Sequence, residues 1–556
     1  MFFQKRKFCF YLILGALGIM LFIPVFAQAI SIKQERLFNI QYDYDLSGRH
    51  KIDAELIKTT NDLYFYADKE WFNELSSGNK RDIDKKIYKL ANEFEHQIYP
   101  ILTQTFGFED NPGIDNDPRT IVVLHPMKKD IGGYIQTADN YSSQLYSRSN
   151  EGQIIYLNAD NIFALSSDRL RYHLAHEFMH LITIKQNPNE EVWLNEARAE
   201  YTETLLGYGE DWDNSNLQRR IKQFLNSTKT SLLDWDNTNY DYAEVNLLTH
   251  YLVDHYGIDI LVDSLHSSES GVAALNYALQ KNGFFENFSD VFSNWLIANV
   301  VNNCSENSKY CYKNPYLKNV TVIPYTYYLP TTGRASLSVT DSLTPWSAKW
   351  QKIVGGKDII KMKWTIPEST SISKIPYIIV KDDGQNKVGF FDFEGSNMDE
   401  IFVPDFGDKN ISLITIPFLT STRSDKLYYF SWDVSVLENS DQSEAEAIKS
   451  LQAKIFMLQQ EIVKLQAQLL ALSVSQNPSV CSSFYGDLYY GINSNQVSCL
   501  QQYLRVLGPQ IYPEGLVTGY FGPLTRAAVQ RYQASQSIIT TGYFGPLTRA
   551  AANNKL

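Results

Sequence analysis

The strongest constraint on this chain comes from two short motifs that lie close together: His176-Glu177-Phe178-Met179-His180 and, after a polar connection from Asn187 to Glu191, Asn195-Glu196-Ala197-Arg198-Ala199-Glu200-Tyr201. On an α-helix, residues i and i+4 stand one above the other on a single face. His176 and His180 can therefore offer two imidazoles to one metal ion, with Glu177 beside them as general base. Two histidines are too few, because a catalytic zinc takes three protein ligands and keeps a position open. Glu196 is the expected third ligand, on a second helix over Trp193 to about Leu206 that runs back antiparallel to the first. Leu170, Leu174, Phe178, Leu181 and Ile182 recur at helical spacing and supply the first helix with an apolar face. Ser166 or Ser167 with Asp168 is the expected cap, and Pro188 closes the segment. The structural alternative is a helix whose His and Glu are ordinary surface residues.

His173 shares that face but lies seven residues from His180, roughly 10 Å along the axis at 1.5 Å per residue. Zinc–nitrogen bonds are about 2 Å, so one ion does not reach all three rings. His173 is expected to pack beside the site rather than to bind.

Ala175-His176-Glu177-Phe178-Met179-His180-Leu181-Ile182 followed by Trp193-Leu194-Asn195-Glu196-Ala197 resembles the gluzincin metallopeptidases, in particular the hyicolysin-like secreted neutral zinc peptidases, over roughly residues 85–300. The resemblance implies zinc held by His176, His180 and Glu196, and water activated by Glu177. It also implies that Glu200 orients one of the zinc histidines, a role that fixes a tautomer and raises ligand basicity. The family often carries a tyrosine that stabilises the oxyanion at the start of a later helix. Tyr242 matches it best, with Tyr240 as alternate and His250 and His255 as weaker ones. Two departures stand out. The interval from His180 to Glu196 is shorter than in the best-known gluzincins, and Ala197-Arg198 replaces a Gly plus an apolar residue, which places Arg198 in question at the rim of the cleft. In such folds an edge strand pairs with substrate, here Ser149 to Gln153 or Gly132-Gly133-Tyr134.

From the start, Met1 to Ala29 reads as an export signal: Lys5-Arg6-Lys7, then an apolar run to Phe26, then Ala27-Gln28-Ala29 as a cleavage site. An uncleaved membrane anchor is the alternative. The protein is expected to be extracellular or associated with the cell wall. At 556 residues the chain needs several cores, and 44% hydrophobic content with 13% aromatic residues allows them. A net charge of −12 argues against nucleic acid as partner. Export permits disulfides, and proximity pairs Cys304 with Cys311 and Cys481 with Cys499.

The fold class is multidomain α+β. A strand-rich lobe is expected over 30–165, with strands at 63–66, 120–124 and 153–157 and a helix from Lys85 to Tyr99. The acidic turn Pro112 to Pro118 clusters oxygen ligands without the spacing of a calcium loop, and reads as a solvated turn. A helical zinc-binding lobe follows over 166–305, and a β-sandwich of short alternating strands over 314–438. Residues 443–474 carry apolar positions alternately three and four apart, from Ile448 to Leu472, the pattern of a parallel coiled coil and so of a homodimer through 448–472. Residues 475–556 contain Thr518-Gly519-Tyr520-Phe521-Gly522-Pro523-Leu524-Thr525-Arg526-Ala527-Ala528, repeated from Thr541 to Ala551, each copy a turn and a helix capped by its Thr. This small helical domain resembles the peptidoglycan-binding domain of bacterial wall hydrolases and implies peptidoglycan as a partner.

These readings converge on an exported zinc metallopeptidase acting on proteins or peptides and held at the wall. A peptidoglycan cross-link endopeptidase and a non-catalytic wall-binding scaffold are the alternatives.

Overall fold

A computed structural model describes residues 34–164, 167–208, 212–213, 215–226, 231–332, 335–367, 372–393, 395–420, 427–437, 483–536 and 538–555. The export signal expected at 1–29, the coiled coil and homodimer expected at 443–474, and the side chains expected to cap the helix of the two histidines lie outside the described residues. The chain is a multidomain α+β protein. Among the described residues, no helix is long and apolar enough to cross a membrane.

The first lobe is a six-stranded sheet: β1 (Glu35–Asn39), β2 (Lys51–Thr59), β3 (Leu63–Asp68), β4 (Thr120–His125), β5 (Gly133–Ile135) and β6 (Ile154–Asn158), in the order β1-β2-β3-β4-β6-β5. Strands β3, β4 and β6 run parallel and are buried along their whole length, as expected where both faces are covered. The helices of this lobe are α1 (Lys69–Glu74), α2 (Ser77–Glu93), α3 (Tyr99–Phe106), α4 (Asn161–Ala164) and α5 (Ser167–Gln186); one face of the sheet packs on α2, α3 and α5, and the other builds a smaller core around Phe38, Tyr66 and Tyr134. Helix α2 starts well before the expected Lys85 because Ser76 caps it, its hydroxyl accepting from Asn79 N at 3.1 Å. The acidic turn is tied down. Asp117 is buried, accepting from the Tyr64 hydroxyl at 2.7 Å and pairing with Arg119 at 3.1 Å, so its charge is already matched inside the fold.

Beyond α5 come α6 (Val192–Leu205), α7 (Asn216–Asn226), α8 (Asn239–Tyr256), α9 (Asp259–Leu265), α10 (Gly271–Lys281) and α11 (Phe288–Val301). Leu170, Leu174, Phe178, Leu181 and Ile182 of α5 all enter the sheet-side core, so the apolar stripe sets which face of this helix is left for the histidines. Helix α8 begins in a capping box between Thr238 and Asp241 and ends at Gly257, whose φ of 85° suits glycine. Cys304 and Cys311 are disulfide-bonded. Cys499 is also disulfide-bonded, and the Cys481 expected to pair with it lies outside the described residues.

Residues 325–436 form two leaves of strands joined by a single pairing, Phe406 with Asn410, around a core that includes Trp364, Phe391 and Trp432. This unit is not an independent bead on the chain. Its Trp346, Trp350, Ile414 and Phe418 join the core of the helical lobe, and the Trp350 indole donates to the Leu296 carbonyl at 3.0 Å.

The C-terminal domain has α12 (Asn495–Val506), α13 (Pro523–Ser535) and α14 (Pro546–Asn553) around Leu500, Phe521, Val529 and Phe544. The repeat helices open differently from expectation. Gly522 and Gly545 stand at the caps with Pro at the first helical position, and the two threonines lie inside. Thr525 and Thr548 are buried and accept from the amides of Gln501 and Gln533, at 2.8 and 2.9 Å, which leaves them no capping role.

Candidate metal centre and its cleft

Helices α5 and α6 are antiparallel neighbours joined through Asn187 to Glu191, and this hairpin brings His176, His180 and Glu196 together. The Glu196 Oε2 lies 3.2 Å from His176 Nε2 and 3.5 Å from His180 Nε2, and the ligand atoms all fall within 4.8 Å of one another. Bonds of about 2.0–2.1 Å to a tetrahedral ion hold its ligand atoms roughly 3.3 Å apart. The two Glu196 distances match that requirement, and two nitrogens with one carboxylate oxygen form a donor set that suits zinc. Glu196 Oε2 is also buried and, apart from the two imidazoles, has no hydrogen-bond partner among the described residues, so a metal ion between the three groups would replace no other contact.

Neighbours set the histidine tautomers. His180 Nδ1 is 2.9 Å from Asn195 Oδ1, which only accepts, so the ring donates there and leaves Nε2 free. His176 Nδ1 is 3.3 Å from the Tyr172 hydroxyl, which itself donates to Glu200 Oε1 at 2.9 Å. Glu200 thus reaches His176 through Tyr172. Its own carboxylate is fully engaged, accepting from Arg220 Nε at 2.9 Å and Nη2 at 2.5 Å, Asn216 at 2.8 Å and Asn246 at 3.1 Å. Burial alone would raise the Glu200 pKa, but Arg220 overrides it and holds the group at about 2. Tyr172, Asn195 and Arg220 were absent from the sequence-based site. Asn195 adjoins the third ligand and Tyr172 stands at i−4 from His176, so both were legible as neighbours, whereas the Arg220 pairing was not.

Burial opposes charge on His180, yet Glu196 and Asn195 outweigh it and raise its pKa to about 9, while the same histidines pull Glu196 well below the usual carboxylate range. The two shifts are one interaction felt by both partners. A metal ion at this place must displace that proton. Glu177 is buried at the cleft wall, and desolvation raises its pKa, opposed by His176 and His180.

The three groups open on a cleft of about 810 Å³, one wall of which is β5 and another α7 and the start of α8. Among the described residues strand β5 is the sheet edge, paired with β6 alone, and it packs against α5. Glycine is required there. A Cβ on Gly132 would stand 2.2 Å from the His173 ring, and one on Gly133 would stand 2.8 Å from the Tyr156 carbonyl. Of the two edge segments expected, Gly132 to Tyr134 is the one on this strand, while Ser149 to Gln153 leads into the interior strand β6. His173 packs against Gly132 and lines the cleft without joining the ligand set.

Tyr242 lines the opposite wall, its hydroxyl donating to Asn237 Oδ1 at 2.8 Å and its ring beneath the Arg220 guanidinium at 4.8 Å. Burial, then Glu196 and Glu177, pushes its pKa up strongly, so it stays protonated. Tyr240 also lines the cleft but is more exposed. His250 and His255 do not line it. His250 is held between the Asn246 carbonyl and Thr204, and His255 faces the Cys311 carbonyl. Arg198 is not at the rim either. It is fully buried, paired with Glu190 at 2.7 Å and donating to the Leu261 carbonyl and Ser264, because its position on α6 turns it away from the histidines toward α9.

Comparison with known proteins bears on the other end of the chain. No curated protein matches this sequence. Among solved structures, PliG from Aeromonas hydrophila, a periplasmic inhibitor of g-type lysozyme, aligns over 100% of its length with 21% of this chain, at 17% identity and a TM-score of 0.14, too low to relate the folds. Residues 493–552 match the peptidoglycan binding domain family, so the chain carries a peptidoglycan-binding domain at its C-terminus and with it a means of association with the cell wall.

Proposed function

We propose that this protein is an exported zinc metallopeptidase that hydrolyses proteins or peptides and is held at the cell wall by its C-terminal domain. The observation that carries the reading is the ligand set of His176, His180 and Glu196, with a buried Glu196 Oε2 at 3.2 and 3.5 Å from the two imidazole nitrogens, opening on a cleft edged by the strand at the margin of the sheet. Zinc bound there supplies a Lewis acid that polarises a carbonyl and lowers the pKa of water. The protein's own groups do the rest. Glu177, made a better proton acceptor by burial, takes a proton from water and returns it to the leaving amine. The free edge of β5 offers main-chain groups to an extended peptide. Tyr242, protonated and on the facing wall, supplies a hydroxyl donor for the developing oxyanion once it turns from Asn237.

The test is zinc content and peptide hydrolysis of the parent beside Glu177→Gln. The expected outcome is zinc retained in both, with hydrolysis by the variant reduced about 100-fold or more. A zinc-loaded parent that cleaves no member of a peptide library sinks the reading and leaves a wall-binding scaffold. The match at 493–552 favours a second substrate, the peptide cross-links of peptidoglycan, and release of muropeptides from purified sacculi distinguishes it.

A further inference from the structure

Helix α7 lines the cleft with Arg219, Gln223 and Asn226, which recur four and three residues apart and so share one face. Arg220 also borders the cleft, but it is held in the buried pair with Glu200 and donates to Gln223 Oε1 at 3.0 Å. The charges are therefore matched unevenly. Arg220 has its carboxylate, while among the described residues no carboxylate pairs with Arg219. Its only hydrogen bond there is from Nη2 to the Asn216 side-chain oxygen, and its Nε is buried with no partner. Burial and the neighbouring Arg220 both press against its charge. A half-buried guanidinium that cannot lose its proton, with donors unspent beside a site open to solvent, is a receptor for an anion. Its fork geometry matches a carboxylate, with which it makes two parallel bonds.

We infer that Arg219 is a specificity-determining residue that binds a carboxylate of the substrate, so that the cleft selects peptides bearing an acidic group near the cleaved bond. This rests on the peptidase reading above and names its substrate class. Two sources share the chemistry, a free C-terminal carboxylate and an acidic side chain. Both place a negative charge on the α7 wall while the peptide backbone lies along β5.

The experiment uses the full chain loaded with zinc and three probes: a short neutral peptide as its C-terminal amide, the same peptide with a free C-terminal carboxylate, and the amide with Glu at one internal position. Affinity for each is measured by calorimetry on the Glu177→Gln protein, with and without Arg219→Gln or Arg219→Lys, and kcat/KM is measured with Glu177 intact. The expected result is a preference for one acidic probe over the amide of roughly tenfold or more. That ratio falls to near one in Arg219→Gln and is partly restored in Arg219→Lys. Which acidic probe is preferred identifies the source of the carboxylate. Equal affinity for all three probes in the parent, no binding of any, or a ratio unchanged in Arg219→Gln overturns the assignment. Preferential binding without hydrolysis overturns the peptidase reading and leaves the carboxylate site standing.

Discussion

In the C-terminal domain Gln501 and Gln533 are buried and their amides are spent on the turns of the two repeats. The Gln533 amide donates to Thr541, the Tyr543 carbonyl and Thr548 and accepts from Gly542 N at 2.8 Å; the Gln501 amide does the same around Thr518, Tyr520, Thr525 and Gly519. In the cleft, Glu196 keeps an equally hidden oxygen that faces the two imidazoles, and Arg219 keeps a buried Nε with no hydrogen-bond partner among the described residues. The contrast separates polar groups whose hydrogen bonds are complete within the fold from polar groups with donor or acceptor capacity to spare. A satisfied buried amide stabilises one arrangement of the chain, while an unsatisfied one costs free energy until something binds.

Acid should break the comparison most strongly, because no histidine follows His266 and the C-terminal domain has none to titrate. His250 is buried as the neutral ring, with burial lowering its pKa to about 4. The unfolded chain takes up a proton near its ordinary value of about 6.5 while the folded chain does not. Stability from this group is therefore complete above that pH and is lost as pH falls toward 4. Urea unfolding followed at pH 7 and pH 4 should show the parent losing about 3 kcal/mol more than His250→Gln. Glu203, raised to about 7 by burial, runs the other way in both proteins and cancels from the difference.

Removing the satisfied amide sharpens the contrast from the other side. Gln533→Ala strips the second repeat turn of its partners and should lower the stability of the C-terminal domain by about 2 kcal/mol. Zinc content should stay unchanged, and parallel loss of zinc would mean that the two regions are not separable in this way. A smaller effect is expected of Glu200→Gln, which weakens the support of Tyr172 and through it His176. Zinc affinity measured by competition with a chelator should drop about tenfold. An unchanged affinity would reduce the Tyr172–Glu200 link to packing.

Much of the site was legible because its signals are local. The i, i+4 histidines, the apolar stripe and the connection at Asn187 to Glu191 all act within one helical hairpin, so their spacing in sequence is close to their spacing in space. What sequence reasoning misplaced depended on the facing of one residue against distant elements. Arg198 reads as a rim residue from its position two residues after Glu196, but two steps along a helix turn a side chain by about 200°, and this one is buried against α9. Thr525 and Thr548 read as caps, until a glutamine from the preceding helix claims each hydroxyl.

The sequence by itself determined the α+β class, the convergence of His176, His180 and Glu196, and the C-terminal repeats, since periodicity and turn residues act over a few neighbours. Only the tertiary structure decided that Glu200 reaches His176 through Tyr172, that Gly132 and Gly133 let the edge strand cross the histidine helix, and that, among the described residues, Arg220 has a carboxylate partner and Arg219 has none. Those outcomes depend on which side chains from separate elements come within about 3 Å, and hydrogen bonding and burial are set at that range, not by distance along the chain.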